Sequence, residues 1–160
     1  MEGLMRKEIK ECLLAQRDQA KNCIRQIREI PDITLEQTRM LVHRYVCAKY
    51  LLPDSESPNQ SLLDLAQKSI ERALELKIPI SKESERATTC GAAGTAAMKN
   101  ALLFMALKKE LQMELSPAKL GAARNTNAIG DIVYDALQEQ QKRKGFQEKS
   151  LKSDIPRMAL

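Results

Sequence analysis

The chain has 160 residues, the length of one ordinary domain, and carries 43% apolar and 29% charged residues, which excludes disorder throughout. Six Gly, six Pro, 3% aromatics and no Trp exclude a turn-dense β fold and predict an all-α protein with an aliphatic core. The net charge of +5 collects at the two ends, but the basic side chains alternate with acids and lack stacking aromatics, which argues against a nucleic-acid partner.

Apolar steps of three and four predict a long amphipathic helix from Glu2 to Ile30, with Ile9, Cys12, Leu13, Ala20, Cys23, Ile24 and Ile27 on one face. Pro31 stops it. Thr34 followed three residues on by Gln37 is a capping box, opening a second helix over 35–52. Pro53 to Asn59 is a loop rich in Pro, Ser and Asp. A third helix runs from about Ser61 to Leu76 through Leu62, Leu65, Ala66, Ile70 and Leu74.

A polar connector over 81–89 leads to Cys90-Gly91-Ala92-Ala93-Gly94, with Thr95 as N-cap of the most hydrophobic helix, 96–113. Ser116-Pro117 begins a short helix ending near Gly121. Asn125-Thr126-Asn127 breaks the chain before a last helix over 129–141, and residues 139–160 read as a basic, frayed or disordered tail. No apolar run approaches the roughly eighteen residues that span a bilayer. Four cysteines without a Cys-x-x-Cys pair, and no secretory leader, indicate a reduced, cytoplasmic protein.

Residues able to do chemistry are few. His43 and Cys47 share a helix face at i, i+4, which fits half a metal site or a Cys-His nucleophile, but equally a core cysteine beside a half-exposed histidine. Gly91 to Thr95 has the small residues of a phosphate-cradling loop without a P-loop lysine or a preceding strand. Met98, Leu102, Met105 and Leu111 form a stripe that suits either a core or a small cavity lining. One His, no paired acid and base and no metal motif predict a non-enzyme with no cofactor and no metal.

The run Gly94-Thr95-Ala96-Ala97-Met98-Lys99-Asn100 through Leu111, followed by Gln-Met-Glu-Leu-Ser-Pro, resembles the second helix of an acyl carrier protein and its exit loop. Met105-Ala106-Leu107, Leu111, Glu114 and Leu115 fall in the family's register, and Thr126 to Leu137 is similar to its threonine-initiated last helix. The helix at 61–76 and the long connector match the family's first helix and first loop in order. The resemblance implies an acyl-carrier-like four-helix bundle over 61–138, preceded by a helical hairpin over 1–52. It also implies a departure from the family's chemistry. The family anchors phosphopantetheine on the serine of Asp-Ser-Leu, whereas the register here has Ala96-Ala97-Met98, so there is no attachment residue.

The expectation is a non-enzymatic, carrier-like adaptor that docks on a partner enzyme or other protein through Thr95, Lys99 and Lys108, with the Cys90 thiol in place of the missing arm. A cysteine just before a helix start has the setting that lowers a thiol pKa. The alternative is a protein-interaction or regulatory helical module in which Cys90 is an inert filler and no carrier chemistry occurs.

Overall fold

A computed structural model describes residues 2–76 and 92–158, with side chains over 6–76 and 95–145. Among the described residues there are six helices and no strand: α1 Glu2–Glu29, α2 Leu35–Lys49, α3 Leu62–Glu75, α4 Ala92–Leu111, α5 Pro117–Ala122 and α6 Thr126–Met158. The chain is all-α.

Local chemistry sets most of the helix starts. Gln37 N donates to Thr34 Oγ1 at 3.1 Å and Thr34 N donates to Gln37 Oε1 at 3.0 Å, so the capping box of α2 is closed from both sides. Ser61 Oγ accepts from Leu63 N at the head of α3, and Ser116 Oγ accepts from Lys119 N at the head of α5, where Pro117 is pre-set for the first turn. Asn125 Oδ1 accepts from Ala128 N at 2.9 Å, which starts α6 at Thr126 instead of Ile129. At its other end α6 continues to Met158, through the stretch read in sequence as a frayed or disordered tail.

Two helices end earlier than their apolar pattern suggests. Leu52 N donates to Cys47 O and Leu51 N to Ala48 O, while Met113 N donates to Lys108 O and Gln112 N to Lys109 O. Both are Schellman closures, with Leu51 at φ 59° and Gln112 at φ 54° in the left-handed position that glycine usually fills. These closures turn Leu52 and Met113 back onto the core as capping contacts, and both are buried.

α2 is the central element. Its buried residues Leu41, Val42, Tyr45, Val46 and Cys47 pack between Ala20, Cys23, Ile24 and Ile27 of α1 and Ile129 and Val133 of α6. α6 runs antiparallel to α2, since Arg39 pairs with Asp131 and His43 with Thr126. Gly130 makes the close approach possible: a Cβ there would lie 2.8 Å from Arg39 Cα. α3 packs against α4 through Leu62, Leu65 and Ala66, and Leu103, Leu107 and Leu111 complete one continuous core. The core therefore crosses position 52, joining the N-terminal hairpin to the last helix. On α1, Cys12 is exposed and Ile9 and Leu13 are half-buried, so only the C-terminal third of the expected apolar face is core.

Candidate functional site

Two arrangements on this scaffold gather polar or exposed groups. The first is buried. His43 and Thr126 Oγ1 are 2.8 Å apart through Nδ1, Cys47 Sγ lies 3.5 Å from His43 Nε2, and Thr126 Oγ1 donates to Pro58 O at 3.3 Å. Proton arithmetic orders the chain. With the one hydrogen of the threonine hydroxyl on Pro58 O, the hydroxyl accepts from His43 Nδ1–H, and in the neutral ring Nε2 then accepts the Cys47 S–H. The result ties α2, the head of α6 and the 53–60 loop together.

This pair is not a nucleophile. Burial pushes the Cys47 thiol up to about 12, with Asp54 and Glu56 adding in the same direction, and the sulfur is sealed from solvent. Cys23 is likewise buried with its thiol pKa raised, first by desolvation. His43 is buried, not half-exposed, because it packs where α2 meets the start of α6. Among the described residues no third His, Cys, Asp or Glu joins His43 and Cys47 in a group able to hold a metal.

The second arrangement is an open groove with a volume of about 1280 Å³ between α4 and α5, closed at one end by the head of α3. Leu62 N donates to Arg124 O at 2.8 Å, and this bond sets the end wall. Leu115 and Leu120 make the floor, half-buried Phe104 and exposed Ala97 and Ala101 the α4 wall, and Lys108 and Arg124 stand on the lining. Two large apolar residues on this lining are well exposed, Met105 at 67% and Leu63 at 54%. Met98 and Leu102 extend the apolar strip along α4 beside it. The Met/Leu stripe read in sequence as core or cavity lining therefore splits. Leu111 is buried, whereas Met98, Leu102 and Met105 face outward, because the opposite face of α4 (Ala96, Leu103, Leu107, Leu111) already fills the core.

No known protein family, curated protein or solved structure matches this chain. Of the expected docking residues, Lys108 is on the groove. Lys99 is half-buried, its Nζ 5.5 Å from the Tyr50 ring centroid, and desolvation lowers its pKa. Thr95 is buried and cannot dock a partner; nor is it the N-cap, because α4 begins at Ala92 and takes Thr95 into its first turns. The same early start makes Ala92 to Thr95 helical, not a phosphate-cradling loop. Cys90 and Gly91 lie outside the described residues. Ala97 is exposed on the groove wall as a bare methyl.

Sequence reasoning missed a polar seam between α2 and α4. Tyr45 Oη donates to Glu110, Lys49 Nζ reaches Glu110 Oε1 at 3.2 Å, and Tyr50 Oη donates to Asn100 Oδ1 at 2.5 Å. Burial, together with Glu110 for Tyr45, raises both tyrosine pKa values. The groove residues Leu63, Phe104 and Arg124 were missed as well. The available signal was that α4 is the most hydrophobic helix, with more apolar side chains than one core-facing stripe holds.

Proposed function

We propose that this chain is a non-enzymatic docking module that binds a partner enzyme or other protein in the groove between α4 and α5. One observation carries the reading: Met98, Leu102 and Met105 form an exposed strip beside a groove whose floor is already packed, on a helix whose other face is core. Scattered exposed apolar residues are ordinary, but a contiguous strip bordering a groove is the signature of an interaction surface. Flexible methionine side chains suit a surface that must adapt to a partner.

The carrier-like reading shares this docking face. It is supported by the order of α3 to α6 and by the presence of Ala97 on the groove, and it differs in requiring the Cys90 thiol. Ala97 has no hydroxyl to form a phosphodiester, so the arm itself has no place here. A reducing, cytoplasmic setting fits the free thiols of Cys12, Cys23 and Cys47, and none of the described helices is long and apolar enough to cross a membrane.

Photo-crosslinking in the native host tests the docking reading. A photoreactive residue at Leu102 should trap one discrete partner, and the same residue at exposed Met40 on α2 should not. Equal capture from both positions, or none from Leu102, refutes it. Intact-mass measurement of the native protein separates the carrier variant: an acyl or sulfur adduct on Cys90 supports it, and an unmodified chain removes it.

A further inference from the structure

We propose that the occupant of the groove is an acidic amphipathic helix of a partner protein, with its apolar face on Leu63, Phe104 and Met105 and its carboxylates against Lys108 and Arg124. The inference rests on the docking reading and adds the partner's chemistry to it.

The polar groups of the lining carry the argument. Each of its side-chain amide and hydroxyl oxygens already accepts a bond from within the protein. Asn59 Oδ1 accepts from Asn127 Nδ2, Ser61 Oγ from Leu63 N, Asn125 Oδ1 from Ala128 N, and Asn100 Oδ1 from Tyr50 Oη. The charged side chains of the lining are both donors, the Lys108 ammonium and the exposed Arg124 guanidinium, and the side-chain amides add further N–H groups. No Asp or Glu belongs to the lining. The nearest ion pair, Lys108 to Glu114 at 4.0 Å, is long, and the Glu114 side chain is 94% exposed, so it neutralises little.

A groove of donors and cations over an aliphatic floor selects a ligand rich in acceptors and negative charge, with apolar anchors. The apolar strip runs two turns along α4 from Met98 to Met105, about 10 Å, which matches the i, i+3, i+4, i+7 anchors of a helix laid alongside it. A second copy of this chain is the poorer occupant, since the chain carries +5 overall and would bring like charge to a cationic rim.

The test uses the full chain and two synthetic amphipathic helices with identical leucine anchors, one with Glu and one with Lys on the polar face, measured by calorimetry or fluorescence anisotropy. The Glu peptide should bind and weaken as salt rises, and the Lys peptide should bind at least about tenfold more weakly. Lys108→Glu with Arg124→Glu should reverse the preference, and Met105→Asp, at an exposed position that leaves the fold intact by circular dichroism, should abolish binding of the Glu peptide. Equal binding of both peptides, lost in Met105→Asp, overturns the acidic-partner inference and leaves the docking reading standing. Binding of the Glu peptide that survives both Met105→Asp and Leu63→Asp places it elsewhere on this basic chain and overturns the acidic-partner inference, leaving the docking reading to the Leu102 crosslink. If neither peptide binds, the inference falls alone, and the docking reading is decided by the Leu102 crosslink.

Discussion

Thr126 Oγ1 is the pivot of the buried polar chain, because it accepts from His43 and donates to Pro58 O at once. Thr126→Val keeps the shape and removes both bonds, leaving a buried imidazole N–H and a carbonyl without their partner. It should cost about 1–3 kcal/mol in urea denaturation. The same burial predicts alkaline sensitivity. Near neutral pH Cys47, Tyr45 and Tyr50 are protonated in both folded and unfolded chains and contribute no slope. Above pH 9.0, the ordinary thiol value, the unfolded chain releases the Cys47 proton while the folded chain keeps it until about 12. The raised tyrosines act the same way above 10.0. The unfolded state then binds fewer protons, so stability falls as pH rises through this window. Cys23, its thiol also raised by burial, acts in the same sense, and Lys99, whose pKa is lowered from 10.5, opposes them with one group against four. Urea midpoints should drop between about pH 8 and about pH 11, and Cys47→Ala should flatten the onset of the drop.

Helix ends show how far pattern reading reaches at the level of single elements. The starts of α2, α3 and α5 were legible because Thr34, Ser61 and Ser116 are side chains that cap by themselves. The stops of α2 and α4 were not. Without a glycine at either position, the apolar pattern runs on through Leu52 and Met113, which belong to the core as capping contacts and not as helix. The left-handed backbone at Gln112 strains a residue with a Cβ, and its side chain is exposed. Gln112→Gly should therefore stabilise the protein by about 0.5–1 kcal/mol in thermal or urea unfolding, net of the extra freedom it gives the unfolded chain. A loss of stability would mean that the weak bond from Arg28 to the Gln112 side chain outweighs the strain.

Across the whole molecule, the decisive feature is that α2 buries one side against α1 and the other against α6. A hairpin over 1–52 taken alone would leave the α6-facing side of α2 in water. A fragment of those residues should give weak helical circular dichroism and poorly dispersed amide spectra, whereas the full chain should unfold in one transition. Two resolved transitions would show that the hairpin and the remainder fold separately. The groove is also a property of the whole, since its walls come from α4 and α5 and its end from α3, three segments that no local pattern brings together.

The sequence alone determined the helical class, the position of five of the six helix bodies to within a few residues, and that α4 is the most hydrophobic helix, because each follows from the apolar side chains along one helix. It could not determine which face of α4 is core, why position 130 must be glycine, or that His43 and Cys47 are sealed in a relay ending at Pro58. Those depend on which helix lies alongside, and a helix surface specifies that it will be buried without specifying by what. Tertiary packing made that choice here: it covered one side of α4 with the α2 and α3 layers and left Met98, Leu102 and Met105 on the other side exposed.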